Sequence, residues 1–381
     1  MRIALVTYST RPRGSVVHTL ALAEALAVQG EHVTVWGLGR SGDDDFFRPV
    51  DPAVTVHVVP CPPVAIDDFG SRVTASIRAL ADAVCTDHAD VVHAQDCIAA
   101  NAVPDCIRTV HHIDSFTTPQ LVACHDRAIR TPVARVCVSQ AVAGELARDW
   151  GVAADVIPNG VDSCRFAAAA GDAPAAVTAR EAWRQRIGGA YLLSVGGIEP
   201  RKGSLDLVET YAGLRVSHPG YALVIAGGET LFDHRPYRAE FDRRCGQLGV
   251  APVVLGPVDD DRLPALMAGA GAFVFPSTKE GFGIAAMEAL AAGVPVVMRD
   301  LPVLRDIFYG AVRFAADPEG FTAQIGAALE EPSSQVRGRG RALASSHTWA
   351  ASATAHRALY RRVVDGATAQ LRPGIGQSSR A

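Results

Sequence analysis

A chain of 381 residues with a hydrophobic fraction of 49% is too long for one core of ordinary size and points to two domains of about 150 to 200 residues. Only 20% of residues are charged and the formal net charge is −4, so the electrostatic footprint of a nucleic-acid binder is missing. The eight cysteines are scattered without a CxxC pair, which indicates neither a zinc site nor a disulfide framework.

The opening run MRIALVTYS reads as a buried strand and lacks the basic start, long apolar core and cleavage site of a signal peptide, so a cytoplasmic location is expected. Residues 3–8 and 33–36 are short apolar runs flanking HTLALAEALAVQG, whose apolar positions recur at helical spacing and which Gly30 can stop. This is a βαβ unit. Further strands are expected at 54–59, 90–94, 107–111, 133–138 and 155–157, with helical segments such as SRVTASIRALADAVCT between some of them. That alternation implies a mostly parallel, doubly wound sheet.

Residues 166–180 (FAAAAGDAPAAVTAR) show no amphipathic period and read as a linker at a domain boundary. The alternation restarts at 191–197, 221–228, 252–258, 271–277 and 294–298, which gives a second α/β sheet. The stretch GFGIAAMEALAAGVPVVM is apolar, but Glu288 and Pro295 interrupt it, so a buried helix entering a strand is expected rather than a membrane span. From about 367 the chain is polar and contains Gly, Pro and Ser, and is expected to be disordered.

The most informative segment is PSTKEGFGIAAMEALAAG, from Pro276 to Gly293. A strand ends at Phe275, a turn holds Gly281 and Gly283, and a helix begins near Ile284. In doubly wound sheets ligands sit at the C-terminal ends of strands, and anions favour helix N-termini, where free N–H groups and the positive dipole end converge. The two glycines let backbone approach a ligand closely. Glu280 stands at the mouth of such a site, and Glu288, more than one turn into the helix, can face back into it. An acceptor-only carboxylate there suits the paired hydroxyls of a ribose. Without context, Glu280 would be an ordinary loop residue and Glu288 a solvated helix position. Lys202 and Lys279 are the only lysines in the chain.

The segment closely resembles the EGFGxxxxE signature of the retaining GT-B glycosyltransferases of family 4 (group 1). Other pieces match in the family's order: RPRGSVVHTLALAEALAVQGEHVTVW, DVVHAQD, TVHHID, VSQAVAGEL, VIPNGVD, SVGGIEPRKG and VVLGPVDDDRLPALMAGAGAFVFPS. The resemblance implies an α/β GT-B architecture, two Rossmann-like doubly wound parallel-sheet domains facing across a cleft. It places the acceptor-side domain at 1–165, the nucleotide-sugar domain at 185–345, a helix crossing back to the first domain at 346–366, and the tail at 367–381.

The same resemblance implies roles for individual residues. Glu280 matches the glutamate that contacts the donor sugar, the backbone of Gly281, Phe282, Gly283 and Ile284 the turn that contacts phosphate and sugar, and Glu288 the ribose-binding glutamate. Lys202 matches the lysine that neutralises the donor diphosphate, where a fixed cation lowers the barrier to departure. Many members carry an arginine five positions earlier, where this chain has Gly197; Arg201 is the candidate replacement. Gly14 and Ser15 correspond to the glycine-rich turn after the first strand, with Ser15 narrowing its backbone freedom. His111 resembles the histidine lining the reaction centre, although a bare histidine at a strand end is more often structural. The implied reaction uses a nucleotide-diphosphate sugar as co-substrate, retains anomeric configuration, needs neither metal nor cofactor, and serves an acceptor that is a small molecule, a lipid or a glycan.

Several patterns are set aside. GLGRSG at 37–42 fits GxGxxG but follows the second strand and runs into DDDFFRPVD instead of a helix. Asp43 to Asp45 and Asp259 to Asp261 contain DxD but read as solvated loops. His111, His112 and Asp114 cannot easily converge on one metal, because alternate strand residues face opposite ways. The competing readings are a nucleotide-sugar epimerase on the same architecture, a non-catalytic sugar-nucleotide-binding protein and, more distantly, a dehydrogenase.

Overall fold

The structure, a computed structural model, describes residues 1–370 except 41, 62–68, 87, 115, 117, 229–234 and 332. The N-terminal half contains strands β1 (Arg2–Thr7), β2 (His32–Arg40), β3 (Val54–Cys61), β4 (Val91–Ala94), β5 (Ile107–Val110), β6 (Ala134–Cys137) and β7 (Asp155–Val156). They form a parallel sheet in the order β3-β2-β1-β4-β5-β6-β7. Its helices are α1 (Gly14–Val28), α2 (Phe69–Ala83), α3 (Cys97–Ala102), α4 (Pro119–Arg130) and α5 (Gln140–Trp150). Central strands of such a sheet are covered on both faces, which is why β1 reads as an unbroken apolar run with Ile3, Ala4, Leu5 and Val6 all buried.

Two helices then lead into the second half, α6 (Ser163–Ala170) and α7 (Pro174–Ile187). The linker expected over 166–180 is therefore helical. Alanine has high helix propensity but little hydrophobic contrast, so the pattern hides an amphipathic face that rests on Phe166 and Trp183, both buried. Local signals fix the ends: the Asp162 side chain accepts from Arg165 N at 3.0 Å, and Pro174 opens α7.

The second sheet contains β8 (Ala190–Val195), β9 (Tyr221–Ala226), β10 (Val253–Gly256), β11 (Ala272–Phe275), β12 (Val296–Arg299) and β13 (Arg313–Ala315), parallel in the order β10-β9-β8-β11-β12-β13. The three-residue β13 escapes a sequence reading. Helices α8 (Ser204–Ser217), α9 (Arg235–Leu248), α10 (Leu263–Gly269), α11 (Ile284–Ala291), α12 (Pro302–Phe308), α13 (Pro318–Glu330) and α14 (Ser334–Ser346) cover it.

The last helix, α15 (Trp349–Gln370), lies against α1 of the first half. Gln29 Nε2 donates to Ala350 O at 2.8 Å, Arg357 Nε donates to Glu31 Oε1 at 2.6 Å, and fully buried Tyr360 shares a 2.7 Å hydrogen bond with His93 Nδ1. Val161 N donates to His347 O at 2.8 Å, tying together the two strands of chain that pass between the halves. Because α15 runs to Gln370, the expected tail begins at least four residues later than its composition suggested; residues 371–381 lie outside the described residues. Among the described residues no helix is long and apolar enough to cross a membrane.

Both sheets reverse strand order beside their first strand, between β1 and β4 and between β8 and β11. Loops leaving the C-terminal ends of these strands diverge and open a crevice. The two crevices share one cavity of about 600 Å³.

Candidate active site

Gly14, Ser15, His111, Arg201, Lys202, Glu280, Gly281, Phe282, Gly283, Ile284 and Glu288 all line this cavity. They come from four places: the start of α1, the end of β5, the loop after β8, and the loop after β11 running into α11.

Arg201 and Lys202 sit on a short 3-10 turn, Pro200–Lys202, which is fastened to the neighbouring loop by a 2.8 Å bond from Thr278 N to Arg201 O. Lys202 Nζ donates to Glu280 Oε1 at 2.6 Å, Arg201 Nη1 reaches the same oxygen at 3.2 Å, and Arg201 Nη2 reaches Glu199 Oε1 at 3.1 Å. Lys202 Nζ also stands 5.3 Å from the centre of the Phe275 ring. Burial pushes the Glu280 carboxyl up, but Lys202 and Arg201 more than reverse this and hold it at about 2. Glu280 is thus a fixed anion facing two fixed cations.

Two helix starts point at the same space. α1 begins at Gly14 without a side-chain cap, and its first intrahelical bond is from Val17 N to Arg13 O, which leaves the N–H groups of Gly14, Ser15 and Val16 without helical partners. Gly14 and Ser15 are therefore the first turn of a helix, not a free turn before it. Neither has positive φ, so serine carries no backbone strain there, contrary to the sequence expectation. α11 starts likewise after Gly283, whose φ of +99° is a left-handed cap, and Met287 N makes its first bond, to Gly283 O at 3.1 Å.

Gly281 also meets a constraint that its sequence did not show. A Cβ there would meet the His111 carbonyl oxygen at 1.7 Å, a contact across the cleft. The missing side chain lets the two halves approach each other here, at a position that also lines the cavity. The His111 ring packs edge-on to His18 at 4.9 Å, and burial pushes it down to about 3, with His112, His93 and Arg108 adding to the effect. It is a neutral imidazole throughout the physiological range. His112 instead pairs with Asp114 at 3.0 Å, so the three side chains of HHID do not converge.

Glu288 lies one turn into α11, and burial pushes its carboxyl up to about 8; Arg165 offsets part of this and Asp260 adds to it. No hydrogen bond to the Glu288 carboxyl is made among the described residues. Asp260 also lines the cavity and pairs with Arg165 at 2.8 Å, so this member of the Asp259–Asp261 run is not the solvated loop residue expected.

Residues 178–340 match the family Glycosyl transferases group 1, and residues 12–165 match Glycosyltransferase Family 4. The chain belongs to glycosyltransferase family 4. It is 29% identical to the glycogen synthase of Mycobacterium tuberculosis over 94% of both chains. The fold is GT-B: the sucrose-phosphate synthase of Thermosynechococcus elongatus superposes with a TM-score of 0.78 at 18% identity, covering 96% of this chain and 100% of that one. Anabaena HepE, in complex with UDP and glucose, gives a TM-score of 0.68 at 18% identity over 97% of this chain and 100% of its own. The enzyme is a glycosyltransferase.

Sequence reasoning missed several residues of this transferase's cavity. Glu199 holds Arg201; Gln95 and Arg108 line the N-terminal side. Glu199 lies in the quoted SVGGIEPRKG motif and was within reach. Gln95 likewise lies in the quoted DVVHAQD motif, whereas Arg108 falls outside every quoted motif.

Proposed function

We propose that the enzyme transfers a sugar from a nucleoside-diphosphate sugar to an acceptor hydroxyl with retention of configuration and without a metal ion. The observation that carries this reading is the convergence of Lys202 and Arg201 on the Glu280 carboxylate, beside two uncapped helix starts, inside a cleft between two sheets. A diphosphate entering there meets both cations and the free N–H groups of α1 and α11. Arg201 supplies the second cation that Gly197 does not.

Glu288 takes the ribose hydroxyls, and Glu280 lies beside the transferred sugar. As the anomeric C–O bond to the diphosphate breaks, negative charge grows on the leaving oxygen, where Lys202 and Arg201 stabilise it. Positive charge grows at the anomeric carbon, near the Glu280 carboxylate. The acceptor hydroxyl attacks on the face the diphosphate leaves, its oxygen forming the new bond and its proton passing to the departing phosphate oxygen. Neutral His111 lines the reaction centre as a hydrogen-bonding group. Closure through the Gly281–His111 contact excludes water and limits donor hydrolysis.

The test is incubation with UDP-, GDP- and ADP-sugars and an acceptor panel, with the product's anomeric proton followed by NMR. An α-linked product from an α-linked donor supports the reading. An inverted product, or an epimerised donor with no acceptor incorporated, overturns it.

A further inference from the structure

Arg108 lies in β5 and is 3% exposed, with no carboxylate within ion-pairing distance among the described residues. Its Nε and Nη1 have no hydrogen-bond partner, and the side chain lines the N-terminal side of the cavity. Gln95, fully buried at the end of β4, lines the same wall with both amide atoms unpartnered. The nearest acids are committed elsewhere. Asp96 accepts from the backbone of Tyr8 at 2.9 Å and Ala99 at 2.8 Å, and Asp114 from His112 at 3.0 Å. Thiols around the guanidinium supply no charge, because burial pushes Cys97 and Cys106 up to about 11 and Cys137 to about 12.

A buried guanidinium is costly without an anion, and a buried amide without partners is costly as well. Both residues belong to the lining of the cavity, where an anion brought by a ligand could satisfy them. We propose that Arg108 and Gln95 bind an oxyanion, a carboxylate or a phosphate, carried by the acceptor. This rests on the reading that the cavity's N-terminal side receives the acceptor. Guanidinium matches such groups in a planar, two-pronged fashion, and the Gln95 amide can complete the shell. On this reading the acceptor is a hydroxyl compound that also carries an anionic group.

The test uses thermal protection of the full chain. UDP and GDP are titrated first; glycerol 3-phosphate, glycerate and neutral glycerol are then added over the nucleotide that protects, so that the donor cations are already occupied. One of the two anions should protect and glycerol should not, and which anion binds separates phosphate from carboxylate. Arg108→Met should weaken anion binding roughly 10- to 150-fold while nucleotide protection stays unchanged. The unliganded Tm of Arg108→Met and of Gln95→Leu should be equal to or above wild type, because each removes an unsatisfied buried group. A lower Tm in both variants marks a structural role and overturns the proposal, as does full anion affinity in Arg108→Met or equal protection by glycerol. If neither nucleotide protects but the anions bind through Arg108, the donor reading fails and this site stands.

Discussion

Lys202 Nζ lies 2.6 Å from Glu280 Oε1, and Arg201 reaches that same oxygen at 3.2 Å. One carboxylate therefore pairs with both cations assigned to the donor diphosphate, and Glu199 adds a second negative charge beside Arg201. A nucleoside diphosphate brings more negative charge than Glu280, so on binding it competes for Lys202 and Arg201 and frees the carboxylate to face the sugar. Glu280 keeps the cations ordered in the meantime, which reduces the side-chain entropy lost when donor arrives.

Gly281→Ala tests closure. Its Cβ would overlap the His111 carbonyl, with a separation of 1.7 Å, and backbone on both sides leaves no flexible atom to yield. The cleft must open instead. A displacement of this size across a reaction centre costs on the order of a hundredfold in kcat, while Tm should change little because each domain keeps its core. Steady-state kinetics with small-angle scattering should show a slower and more expanded enzyme. Unchanged kcat would mean that the Gly281–His111 contact is dispensable.

Glu288 gives a pH signature. Its folded pKa of about 8 lies above the ordinary 4.5, so the folded state holds this proton more tightly than the unfolded chain does. Glu288 therefore lowers stability progressively as pH rises from 4.5 towards 8, and has no such effect below 4.5. Glu288→Gln should raise Tm at pH 8 and leave it unchanged near pH 4, as read by thermal melts across that range. A Tm gain independent of pH would point to packing rather than titration.

How far the sequence led depends on where each signal lies. The donor side was legible because its chemistry is local: Arg201 and Lys202 share one turn, and Glu280 to Glu288 share one loop and helix. The close packing at Gly281 was not legible because the atom it avoids belongs to His111, across the cleft and far away in the chain. α6 and α7 were missed because alanine blurs the helical period, leaving Phe166 and Trp183 as the only large anchors. Arg108 lies outside the quoted motifs and Gln95 inside DVVHAQD, but neither stands out in sequence, since what distinguishes them is the absence of partners in three dimensions.

The proposed metal independence rests on charge supplied by the protein. If Lys202, Arg201 and the N-termini of α1 and α11 meet the diphosphate, turnover should be the same with and without EDTA. Loss of activity on chelation, restored by added Mg²⁺ or Mn²⁺, would contradict this.

Steady-state kinetics of two variants separate the proposed roles of Glu280 and Glu288. If, as proposed, Glu288 holds the ribose equally in ground and transition states, Glu288→Ala should raise the donor KM and leave kcat nearly intact. Glu280 gains importance as charge grows at the anomeric carbon; Glu280→Gln keeps shape and most hydrogen bonding but removes the charge. A charge-assisted contact of about 1.5 to 3 kcal/mol predicts roughly a 10- to 150-fold fall in kcat, with a much smaller change in donor affinity. Full kcat in Glu280→Gln, with activity abolished in Glu288→Ala at saturating donor, would contradict the account.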